Sequence, residues 1–100
     1  MTKIKKYVAD IKEELKDAQD YIEKALWHKA AGDQNRFAKY KEMSAQELNY
    51  AAILHDMAVQ DIAALDAVYP DIPIKMLEAW NNAHTEYVEK VAWIKQMHQI

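Results

Sequence analysis

Apolar residues recur along this chain in steps of three and four. In the first third they fall at Ile4, Val8, Ile11, Leu15, Ala18, Ile22 and Ala25, with polar residues opposite them. That spacing gathers one stripe on one face of a helix. Thr2 can cap its start and Gly32 can take the left-handed position that ends it, so a helix is predicted from about Thr2 to Ala31. Asp33 is a good N-cap for a second helix, whose stripe runs through Phe37, Tyr40, Ser44, Glu47, Ala51, Leu54, Ala58, Asp61, Leu65 and Val68. Pro70 stops it, giving residues 34–69 and a length of about 55 Å. From Tyr50 onward this helix also carries Ile53, Met57, Val59, Ile62, Ala63 and Ala64 off the stripe, which predicts cover on more than one side. A third helix is predicted over 73–98. Asp71 is its cap, Pro73 lies in its first turn, and its seam is Leu77, Trp80, His84, Tyr87, Val91, Ile94 and His98. Proline is tolerated there because that N–H has no helical partner.

Both predicted connections are short, and short connections make neighbouring helices antiparallel. The expectation is one all-α domain over residues 1–100, an up-down bundle of three long helices. One glycine and two prolines are too few for the turns of a β-rich fold. The second helix outruns both neighbours, so its end needs cover from the third helix or from another chain. Trp27 and Trp93 lie off the main seams, as rim contacts or as part of a subunit interface.

The formal net charge is −3 and the charge signs alternate along the chain. A nucleic-acid surface would need clustered basic residues. Lys3, Lys5 and Lys6 read as a solvated helix start. The chain has no cysteine, which excludes disulfides, thiolate metal sites and thiol nucleophiles. It has neither a secretory leader pattern nor an apolar run of membrane-spanning length, so a soluble, cytoplasmic protein with no nucleic-acid or membrane partner is expected. A single glycine also leaves no phosphate-cradling loop or nucleophile elbow.

Glu47 interrupts the stripe of the second helix and Glu14 lies beside the stripe of the first. Tyr7, Glu14, Tyr21 and His28 recur every seven residues and form one row. A carboxylate so placed must be hydrogen-bonded, paired, metal-bound or extended to water. The segments Glu14-Leu-Lys-Asp17-Ala-Gln-Asp-Tyr21 and Met43-Ser-Ala-Gln-Glu47-Leu-Asn-Tyr50 resemble the paired ligand segments in the first hairpin of ferritin-like four-helix bundles. The stretch through Ile53-Leu54-His55-Asp56 is also similar to small ferritin-like proteins of bacteria and phages. The resemblance covers residues 4–68. It implies a hairpin scaffold, completed to four helices by a homodimer, with Glu14 and Glu47 as metal ligands. It departs from the family at Tyr50, which stands where the imidazole of Glu-x-x-His belongs, and no second Glu-x-x-His follows. Neutral tyrosine is a poor ligand for ferrous iron but can hydrogen-bond a carboxylate. Tyr21 and Tyr50 are therefore expected to support the glutamates.

His84, on the third helix's seam, is the candidate to replace the missing imidazole. His55 is expected to pair with a nearby carboxylate, and His28 and His98 to lie at the surface near helix ends. Met43, Met57, Met76 and Met97 read as core filler. The expected function is association without catalysis or cofactor, as a homodimer or with another protein. The alternative is a carboxylate-based metal-binding protein or oxidase holding iron or another divalent metal at Glu14, Glu47 and His84.

Overall fold

A computed structural model describes residues 2–68 and 74–100. It contains three α-helices: α1 (Thr2–Ala30), α2 (Gln34–Val68) and α3 (Ile74–His98). The end of α1, the start of α2 and the end of α3 fall within a residue of the predicted ones, while the predicted end of α2 and start of α3 lie outside the described residues. The stop at Pro70, the cap at Asp71 and the first-turn proline lie outside the described residues, as do the side chains of Thr2 and Val68.

The turn between α1 and α2 forms as its sequence dictates. Gly32 has φ +81°, a conformation that side-chain-bearing residues rarely adopt. Its N–H donates to Lys29 O (3.1 Å), and Asp33 N–H donates to His28 O (2.9 Å). Those two bonds close the last turn of α1 as a Schellman motif. Asp33 then caps α2, its Oδ1 accepting from Arg36 N–H at 3.0 Å. Its other oxygen meets Arg36 Nη1 at 2.7 Å.

Antiparallel α1 and α2 pack along most of their length, with α3 more lightly against α1. The α1 side of the seam is Ile11, Leu15, Ala18, Ile22 and Ala25, facing Ala51 and Ala58. Small side chains bring the backbones close, and the larger ones fill the remaining space. Among the described residues, Ser44 is the one fully buried polar side chain. Its Oγ donates to Ala18 O at 2.7 Å, which compensates for its burial. With that proton committed, His98 Nε2, 2.9 Å away, is the donor to Ser44 Oγ. His98 is thus half-buried and bonded rather than at the surface as expected.

α3 buries Trp80 and Ile94, two residues of its predicted seam. It meets α2 through long side chains: Trp80, His84 and Tyr87 reach the His55 ring. The molecule extends 56 Å along its longest axis, close to the length of α2 alone. Among the described residues, cover on several sides of α2 is not achieved. Tyr50, Ile53, Met57 and Val59 are exposed, as is Met43. Met43 and Met57 are therefore not core filler: they lie on the outer edge of α2, where no third layer covers them. Met76 and Met97 are half-buried.

Candidate functional site

The ferritin-like resemblance implied Glu14 and Glu47 as a pair, and the antiparallel register of α1 and α2 brings them close. Asp17 joins them. One carboxylate oxygen of each of Glu14, Asp17 and Glu47 lies within 4.8 Å of the others, and all three side chains are half-buried. Asp17 is the member the sequence reading missed. The signal was its i, i+3 spacing from Glu14, which puts both on one face of α1.

This cluster is electrostatically frustrated. Glu14 Oε2 is buried with no donor in reach. Two ionised carboxylates cannot hydrogen-bond each other, but one protonated and one ionised can. The Glu14 carboxyl is accordingly pushed up from 4.5 to about 7. The first cause is the hydrogen bond with Glu47, followed by burial and by the charges of Glu47, Asp17 and Asp10. Below about 7 Glu14 carries a proton that it can turn toward Glu47, and above it the two charges repel.

The tyrosines do not relieve this strain. Tyr50 is 51% exposed. Tyr21 stacks on Tyr40 with ring centroids 6.2 Å apart. Lys24 Nζ sits over both rings, at 5.8 and 5.9 Å. Tyr40 also stacks on His28 at 5.4 Å, so His28 is half-buried in an aromatic row rather than free at a helix end. Neither Tyr21 nor Tyr50 therefore has the supporting role expected of it.

His84, expected to join Glu14 and Glu47, does not lie with them. Its Nδ1 lies 2.8 Å from His55 Nε2. The physical reason is which flank of the hairpin α3 covers. Lys12 reaches Glu86 of α3 at 3.9 Å. At ~100° per residue, Glu14 points roughly 160° around α1 from Lys12, and Asp17 lies on the same far flank. α3 thus closes one side of the α1–α2 seam, and the carboxylates open on the other.

On the covered side the aromatic spacing of α3 builds a second cluster. The His55 ring stacks on Tyr87 at 4.2 Å and lies 5.3 Å from Trp80. Asp56 Oδ1 is 3.9 Å from His55 Nδ1, so the expected carboxylate neighbour is present, but as a minor one beside His84. A groove of about 580 Å³ opens next to this cluster. Val8, Ile11, Leu15, Trp80, Tyr87 and Trp93 give it apolar walls. Lys12 and Lys16 edge it from α1, and Glu86, Glu89 and Lys90 from α3. Trp93, expected at a rim or an interface, is 43% exposed at this groove, and Trp27 is 68% exposed at the far end of α1.

No helix among the described residues is long and apolar enough to cross a membrane. Comparison with protein-family models, curated proteins and solved structures gives no match for this chain.

Proposed function

We propose that this protein acts by association, and that the groove between α1 and α3 is the surface it uses, paired with the same groove of a second copy. The observation that carries this reading is the groove itself, apolar inside and charged along its edges. A two-fold interface sets each patch against itself, so its edges must be self-complementary. Here they are: lysines edge the α1 side and glutamates part of the α3 side. A two-fold across the groove sets Lys12 and Lys16 of each copy against Glu86 and Glu89 of the other. Trp93, half out of its own groove, is the anchor that enters the opposite one. Aromatic anchors in desolvated pockets carry most of the energy of such contacts. Sedimentation velocity should show a dimer whose population rises with concentration. Trp93→Glu should weaken it by at least ~30-fold, the equivalent of a 2 kcal/mol anchor. A wild-type chain that stays monomeric up to millimolar concentration would refute the paired groove.

A second reading has its own support in the unpartnered Glu14 Oε2. Three carboxylates fit an oxygen-preferring divalent cation such as Mg²⁺, Ca²⁺ or Mn²⁺ better than the mixed imidazole and carboxylate set of a di-iron centre. Glu14, Asp17 and Glu47 would hold it, and it would replace the shared proton. Because the Glu14 pKa is raised on folding, its contribution to stability is full below 4.5 and is lost as pH rises through about 7. Glu14→Gln keeps a donor toward Glu47 and removes that loss. At pH 8 it should stabilise the fold by about 1–3 kcal/mol. Cation binding predicts a further result: millimolar Mn²⁺ at pH 8 raises the melting temperature of the wild type but not of Glu47→Gln, at matched ionic strength. Equal shifts in both proteins would leave a proton-sharing pair as the whole account of the cluster.

A further inference from the structure

Among the described residues, both side-chain hydrogen bonds between α2 and α3 run through histidine. One is His55 Nε2 to His84 Nδ1 at 2.8 Å, and the other is His98 Nε2 to Ser44 Oγ at 2.9 Å. Nothing on α3 binds α2 as α1 does, through a long seam of small residues. We propose that the His55–His84 pair is a proton-operated latch that holds α3 on the hairpin and releases it on acidification.

The chemistry follows from counting protons on two facing nitrogens. With both imidazoles neutral, one nitrogen donates and the other accepts. With one proton added, the imidazolium donates to its neutral partner and the bond strengthens. With two added, both facing nitrogens carry hydrogens, no acceptor remains, and two cations meet across 2.8 Å. The second proton meets a space that is desolvated on the His55 side, His84 itself being exposed. The His55 side chain is only 12% exposed, between the rings of Tyr87 and Trp80. Burial and the neighbouring His84 hold its pKa below the ordinary 6.5.

The groups facing the latch do not cancel this effect. On α2, Asp56 favours the His55 cation, but it is 3.9 Å from the other ring nitrogen and its side chain is largely solvated. From α1, Lys12 and Lys16 line the same groove as His55 and oppose a positive charge. From α3, Lys90 adds to them, while Glu86 and Glu89 act against them, with Glu86 paired to Lys12. Tyr87 is neutral, its hydroxyl pKa raised by burial and by Asp56. His98, the other α3 contact, titrates in the same direction: burial, then Lys41, depresses its pKa.

The signs give a distinctive pattern. Histidine pKa values lowered by folding contribute stability that is full above 6.5 and is lost as pH falls through the lower, folded-state value. Glu14 does the reverse and gains its proton as pH falls through about 7. Acidification therefore loosens α3 while it tightens α1 against α2, and the two events are separable by position in the chain.

The test is amide hydrogen exchange read by mass spectrometry at pH 7.5 and pH 5, corrected for intrinsic exchange, on wild type, His84→Gln and His55→Phe. Glutamine keeps a hydrogen-bonding group opposite His55 without a titratable proton, and phenylalanine keeps the stack on Tyr87 and Trp80. In the wild type, α3 should lose at least tenfold of its protection at pH 5 while α1 keeps its own. Either folded variant should cut that loss at least threefold. Three results would overturn the latch: α3 as protected at pH 5 as at pH 7.5, α1 and α3 losing protection together, or full acid release of α3 in both variants. The last would assign the release to carboxylates such as Asp56 or Glu86.

Discussion

Trp80→Ala is expected to cost about 3–5 kcal/mol and to detach α3 while leaving α1 and α2 helical. Trp80 is the largest side chain that α3 buries. It lies 5.3 Å from the His55 ring and 6.2 Å from the His84 ring, and it walls the groove against Val8, Ile11 and Leu15. Truncation to a methyl group leaves a void the size of an indole. The residues around it cannot close it, because His55 is pinned between His84 and Tyr87. Ile94 is the only other buried residue of α3 among those described, with Tyr87, Val91 and Met97 half-buried against the core. The hairpin keeps its own alanine-lined seam, so the loss is local rather than global. Denaturation of Trp80→Ala followed by far-ultraviolet dichroism and by α3-specific hydrogen exchange should give two separate transitions. A single transition at the wild-type midpoint would contradict this account of how α3 is attached.

The second large effect belongs to the hairpin. Ile22→Ala is expected to destabilise the whole protein by about 2–5 kcal/mol. In a domain of this size that lowers the melting temperature by on the order of 10–30 °C. Ile22 is fully buried, with Ala18 and Ala25 its seam neighbours along α1 and Ser44, Ala51 and Ala58 the fully buried residues of α2. Methyl-sized neighbours on a closely approached pair of helices have no rotamers with which to fill a cavity. Every other element depends on this contact, since α3 docks on the two helices together. The loss should therefore be cooperative, with all three helices unfolding at one lowered midpoint. A drop of less than 1 kcal/mol would mean that the α1–α2 seam can collapse around the void.

Legibility differed between the parts of the candidate site. Glu14 and Glu47 stood out in the sequence because each breaks or flanks an apolar stripe, and their pairing came from the resemblance to a ferritin-like hairpin. Asp17 could have been read from its spacing. The absence of Tyr21 and Tyr50 from the cluster could not. A tyrosine one or two turns from a carboxylate can rotate toward it or turn elsewhere: Tyr40 and Lys24 on the neighbouring surface decided for stacking at Tyr21, and Tyr50 is exposed.

The three helices, their bounds near Gly32 and Asp33, and the buried faces of α1 and α3 were determined by sequence alone. Periodicity, caps and the left-handed glycine act within a few residues, and local physics sets them. The flank of the hairpin that α3 occupies was decided only by tertiary structure. Both flanks of the α1–α2 seam carry aromatic and charged residues, so no stripe distinguishes them. The choice falls to the fit of Trp80, His84 and Tyr87 around His55. That one choice removes His84 from the carboxylates, turns it into half of a histidine pair, and leaves Glu14, Asp17 and Glu47 open on the far side.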